Sequence, residues 1–170
     1  MKKPEPFSEY IEEYRRQLEK GVIQKAYRGL IEYIMDLHAY LKKKYPEHYV
    51  SGIYNGYMDM TFFQFTPNTL HDRKLKAVII FTYDTFRFEI WLAGHNKVVQ
   101  DRYWKLFRES GWVKYRVVPT TKGADSIMEH VLVEDPDFND LDALTKRIEK
   151  EALRFILDVE GFLSKHGDRD

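Results

Sequence analysis

Apolar residues in the first 45 positions recur every three or four residues, the period of amphipathic helices. Phe7, Ile11, Tyr14 and Leu18 form one stripe, with Ser8 as its expected N-cap and Gly21 as a left-handed C-cap. Pro4 and Pro6 keep the preceding residues extended. A second stripe runs through Ile23, Tyr27, Leu30, Ile31, Ile34, Leu37 and Leu41, then meets Lys42, Lys43 and Lys44 and stops before Pro46. Lysines suit the negative end of a helix dipole, and the residue before a proline is pushed out of helical geometry. The two stripes predict a helical hairpin.

From about residue 49 the period falls to two. Strands are expected near 49–54, 57–65, 75–83 and 86–93, all rich in β-branched and aromatic residues. A polar loop over 66–74 separates the second from the third, and Tyr83-Asp84-Thr85 reads as a tight hairpin turn. Gly94 breaks the run and Asn96 can cap a third helix, whose stripe is Val99, Tyr103, Leu106 and Phe107 and whose end is Gly111. Strands near 113–118 and 127–134 follow. A final helix starts at about Asp140, with Leu141, Leu144, Ile148, Phe155, Ile156, Val159 and Leu163 inward. Short connections favour antiparallel pairing. The expected fold is α+β: a mainly antiparallel five- to six-stranded sheet, an N-terminal helical hairpin and two further helices packed on it, all in one domain over 1–170.

Composition narrows the function classes. The chain has 27 basic and 27 acidic residues, so no bulk field recruits nucleic acid or an anionic membrane. Residues 1–48 carry 10 basic and 8 acidic groups, residues 49–125 carry 11 and 7, and residues 126–170 carry 6 and 12. The acidic final third reads as a solvated helix face. There is no cysteine, which removes disulfides, thiol catalysis and cysteine-ligated metal, and fits a reducing cytoplasm. The N-terminus lacks the apolar core of a signal peptide, and no apolar run is long enough to span a bilayer. Aromatic residues make up 15% of the chain, an excess that suits a ligand pocket or a homodimer interface as well as a core.

Alternation supplies the candidate site. On the strand at 86–93, Phe86, Phe88, Ile90 and Leu92 form the core-facing row, which sets Arg87, Glu89 and Trp91 on the opposite side. On the strand at 57–65, Asp59 shares a side with Tyr57, Thr61, Phe63 and Phe65. Small-molecule sites are mostly apolar with a few convergent polar groups. Tyr57, Asp59, Arg87, Glu89 and Trp91 are therefore the ligand-binding candidates, with cross-strand ion pairing as the plainer account of the same charges. A second feature is His95, Asn96 and Lys97 at a helix start, where free N–H groups can hold an anion; ordinary capping gives the same pattern. The six histidines show no metal-ligand spacing, no metal or other cofactor is expected, and no serine-hydrolase signature is present. Asp84 and Glu89 are spaced like the acids of restriction-type nucleases, but Trp91 stands where that pattern needs lysine. Arg102-Tyr103-Trp104-Lys105 and Trp112-Val113-Lys114-Tyr115-Arg116 interleave cations with aromatics, as single-strand binders do, and leave Trp104 as an exposed aromatic.

GIYNGYMDMTFF, LKAVIIFTYDTFRFEIWLAGHNKVVQDRYWKLF and EKGVIQKAYRGLIEYIMDLHAYLKKKYP resemble a prokaryotic family of domain-of-unknown-function proteins, most strongly over residues 19–107. The resemblance implies a free-standing small cytoplasmic protein and carries over no catalytic residue. Residues 75–163 also look like small α+β domains that accompany restriction-type nucleases, an analogy of arrangement alone. The chain thus reads as a small-molecule or partner-binding module rather than an enzyme, with a nucleic-acid-linked accessory or phage-defence role as the alternative.

Overall fold

Glycine and proline set most of the element boundaries in the computed structural model, which describes residues 6–166. The chain divides into two units, Met1–Asp36 and Leu37–Asp170, with the boundary inside a helix. In the first unit α1 (Phe7–Glu19) runs to Gly21, whose φ of 72° gives the expected left-handed stop. Pro6, which offers no side-chain cap, stands at the N-cap position, so Ser8 lies in the first turn instead. Pro4 lies outside the described residues. No residue of α1 is buried, and Phe7, Ile11 and Tyr14 of its apolar stripe are exposed. The Arg15–Glu19 and Arg16–Glu13 pairs, at 3.2 and 2.5 Å, support this helix locally without burial. α2 (Val22–Lys44) begins in the first unit and ends in the second.

The second unit is built on six strands, all paired antiparallel, as alternation and short connections predict. They are β1 (Tyr49–Val50), β2 (Met60–Thr66), β3 (Leu75–Thr82), β4 (Arg87–Gly94), β5 (Arg116–Val117) and β6 (Met128–Val133), in spatial order β1-β2-β3-β4-β6-β5. Three further helices are α3 (Asn68–Asp72), α4 (Lys97–Glu109) and α5 (Leu141–His166). The fold is α+β, with N-terminal helices and a six-stranded antiparallel sheet. α3 occupies the expected loop, starting after Pro67. Asp140 accepts the Ala143 N–H at 3.1 Å and so caps α5.

One sheet face carries the core. Phe63 of β2, Ile79 of β3 and Ile90 of β4 align in register with at most 2% exposure, and α5 adds Ile148, Ala152, Phe155 and Val159. Each fully buried large side chain contributes about 1.5–3 kcal/mol. Leu141, expected inward, is exposed at the start of α5.

Three expected strands shrink, the one near 113–118 to the two residues of β5 and two others for identifiable reasons. The segment at 49–54 keeps two paired residues plus a single bridge from Tyr54 to Phe62. The segment at 57–65 becomes a strand only from Met60, because Gly56 and Met58 take φ of 72° and 60° and turn the chain. A Cβ on Gly56 would stand 2.0 Å from the Met60 carbonyl oxygen, so glycine is required there. Phe86 also departs from expectation. Its φ of 52° makes it part of the hairpin turn, and its side chain is 54% exposed rather than in the core row.

Candidate functional site

Register fixes what surrounds the candidate residues. Glu89 of β4 faces Ile80 on β3 and Val131 on β6, and Ile80 in turn faces Phe62 on β2. A carboxylate thus stands in a row of aliphatic and aromatic residues, on the face opposite Phe88, Ile90 and Leu92. One step along β4, Trp91 lies between Val78 and Glu129; one step the other way, Arg87 faces Thr82. A register shift between Phe88 and Glu89 bends the β4–β6 ladder beside the site.

These side chains line one concavity of about 660 Å³. Arg87, Glu89 and Trp91 form its floor, while Asp59 and Asp84 reach it from the turns at the ends of β2 and β3. Met58, Met60 and Thr82 add to one wall and Glu129 to another. Four acidic residues and a single basic one therefore border the groove. Asp59 arrives by a route that alternation does not describe. It sits in a turn, where its Oδ1 accepts the Tyr57 N–H at 2.8 Å. That bond, followed by the Met60 N–H, holds its carboxyl below the usual aspartate range. Tyr57 is carried away by the same turn. Its side chain is 91% exposed and does not line the groove, so the expected aromatic wall comes from Trp91.

The polar groups of the groove are incompletely matched. Glu89 is only 6% exposed, yet its carboxylate takes one long hydrogen bond, from Thr82 Oγ1 at 3.4 Å. The Arg87 carbonyl at 3.4 Å and the Thr85 hydroxyl at 2.5 Å compete for that same hydroxyl proton. Arg87 Nη1 donates to both oxygens of Glu134, at 3.0 and 3.2 Å, while its Nε lies 3.6 Å from Glu89 Oε2. Burial disfavours the guanidinium charge, but Glu134 and Glu89 outweigh it and hold its pKa above the ordinary value. Arg87 Nε and Trp91 Nε1 are both buried donors with no hydrogen-bond partner among the described residues. Leaving a buried donor unmatched costs about 1–3 kcal/mol.

A second buried glutamate shows the contrast. Glu149 of α5, which sequence reasoning did not single out, is 7% exposed and accepts from Tyr40 at 2.8 Å, from Lys44 at 2.6 Å and from Tyr45. Burial pushes its pKa up, but hydrogen bonds from Lys44, Tyr45 and Tyr40 prevail and hold it below the usual glutamate value. Glu149 is a saturated structural carboxylate; Glu89 is not.

The remaining candidates fall elsewhere. Asn96 Oδ1 accepts the Val99 N–H at 2.9 Å, which caps α4. His95 and Lys97 are exposed beside it, at the opposite end of β4 from Arg87. Seven residue steps of strand put roughly 23 Å between the two ends, so the anion-binding candidates do not join the groove. Trp104, expected to be an exposed stacking aromatic, is half-buried. Its indole donates to the Val118 carbonyl at 2.7 Å and Arg108 covers its ring. Trp112 donates to the Tyr115 carbonyl at 3.0 Å, and Lys114 and Tyr115 both bind Asp158. The tryptophans of both clusters thus have partners within the fold, while Lys105 and Arg116 are exposed. Among the described residues no group of three His, Asp or Glu side chains could hold a metal ion, and no helix is long and apolar enough to cross a membrane.

The family model for a domain of unknown function (DUF7000) matches residues 7–163, so the chain belongs to that family, in agreement with the resemblance read from its sequence. No curated protein and no solved structure matches the chain.

Proposed function

We propose that this member of the DUF7000 family is a cytoplasmic binding module that takes a small molecule in the groove formed by β2, β3, β4 and β6. The observation that carries the reading is the meeting of Asp59, Arg87, Glu89 and Trp91 in one concavity of about 660 Å³. That volume lies within the range of about 300–1,000 Å³ found for ligand pockets, and apolar side chains such as Trp91, Met58 and Met60 beside a few polar groups are their usual chemistry. The weakly bonded Glu89 gives the same reading a polar component. The acidic border argues against a phosphate backbone in this groove, since nucleic-acid sites depend on neutralising phosphates with cations.

A thermal-shift screen of a metabolite library against the intact chain tests this. Stabilising compounds are expected whose shifts disappear in Trp91→Phe and Glu89→Gln while both variants remain folded. Hits that stabilise both variants as strongly as the unaltered chain would place binding outside the groove and end the proposal.

A further inference from the structure

Resting on that reading, we infer that the groove takes a small organic cation: an amine, amidine or guanidine carried on a flat apolar body. Three observations converge on this class. The first is charge. Asp59, Asp84, Glu89 and Glu129 border the groove against Arg87 alone, and Arg87 is already engaged by Glu134 and, at 3.6 Å, by Glu89. An anion entering here is repelled by four carboxylates and finds the one arginine already paired, whereas a cation is attracted by the acidic excess.

The second is the acceptor capacity of Glu89. An ionised carboxylate offers about four lone-pair sites, and buried ones are normally filled. Glu89 receives one hydrogen bond of 3.4 Å, from a hydroxyl it shares with the Arg87 carbonyl and Thr85, and a loose ion pair with Arg87 at 3.6 Å, whereas equally buried Glu149 receives close bonds from two tyrosines and a lysine. The N–H groups of a ligand cation supply what Glu89 lacks, as Lys44 does for Glu149. The third is the wall. Trp91, Met58 and Met60 give an aromatic face and two thioethers, which accommodate a flat body and attract a nearby positive charge. An inorganic divalent ion does not fit the same evidence, because no three potential ligands among the described residues converge.

The test pairs probes of similar shape and opposite charge, tryptamine and benzamidine against indole-3-acetate and benzoate. Binding to the intact chain is measured by calorimetry and by the indole resonance of Trp91. The cations are expected to bind and move that resonance, and to lose about tenfold or more in affinity in Glu89→Gln, the scale of one charge-assisted hydrogen bond. An unchanged melting temperature in Glu89→Gln shows that the loss is local. Equal or tighter binding of the carboxylates at Trp91 overturns the cationic class and leaves the groove as a binding site. Cations that bind Glu89→Gln undiminished also overturn it. If no probe of either charge moves the Trp91 resonance, the inference and the groove reading fall together.

Discussion

Arg87 Nε stands 3.6 Å from Glu89 Oε2, beyond hydrogen-bonding distance, although both groups are substantially buried and opposite in charge. The guanidinium bonds Glu134 directly and pairs only loosely with Glu89, which stands in its apolar row between Ile80 and Val131.

Replacing the two buried glutamates therefore has opposite consequences. Glu89→Met removes a poorly matched carboxylate from an apolar row, and its unfolding free energy in urea is expected to stay within about 1 kcal/mol of the parent or to rise. Glu149→Gln disrupts a filled network and is expected to lose about 1–3 kcal/mol. Equal losses at the two positions would show that Glu89 is as structurally committed as Glu149.

Acid sensitivity follows from groups whose folded pKa is depressed. Burial lowers His48 and His130, and partners lower Glu149 and Asp158. A depressed folded pKa means that the unfolded chain takes up protons first, so the associated stability is lost as pH falls. Melting temperature is expected to decline first below about pH 6.5 from the histidines and again below about pH 4.5 from the carboxylates. In Glu149→Gln the second decline should be shallower; an identical acid profile would remove Glu149 from the account.

At alkaline pH the sign reverses. Burial, then the hydrogen bond to Glu149, raises Tyr45 to about 12. Folding thus favours its protonated form, and that stability is present below about pH 10 and lost as pH rises towards 12. Tyr45→Phe should flatten the alkaline side of the stability profile, measured by urea unfolding between pH 8 and about 11.

Gly56→Ala is expected to cost more than about 2 kcal/mol, since it combines a left-handed φ with a Cβ 2.0 Å from the Met60 carbonyl. Because that turn delivers Asp59 to the groove, the same variant should weaken any groove ligand. Gly161→Ala in α5, where a Cβ meets nothing within 4 Å, should instead gain about 0.5–1 kcal/mol from helix propensity. Chemical denaturation of the pair gives the comparison directly.

The floor of the groove was legible in the sequence because a two-residue period separates Arg87, Glu89 and Trp91 from Phe88, Ile90 and Leu92 without further information. Asp59 was legible as a charge near aromatic residues, but its turn was not, because left-handed backbone at Met58 has no reliable signature in a non-glycine residue. The same blind spot placed Tyr57 in the wall and Phe86 in the core. Glu129 could not be linked to Trp91 from sequence, since β6 inserts between β4 and β5 and sequence adjacency points elsewhere. The exposed stripe of α1 shows a further limit: helical periodicity predicts an amphipathic helix, not whether its apolar face is covered.

The three tryptophans provide the most direct measurement. Trp104 and Trp112 donate their indole N–H to the Val118 and Tyr115 carbonyls, whereas the Trp91 indole in the groove has no such partner among the described residues. In a nitrogen–proton correlation spectrum, assigned with Trp91→Phe, the strongest stabilisers from the thermal-shift screen are titrated into the intact chain. A saturable shift of the Trp91 indole peak, with those of Trp104 and Trp112 nearly still, is the predicted result. A Trp91 peak that stays fixed while calorimetry records saturation by the same compound would contradict the assignment of the groove as the binding site.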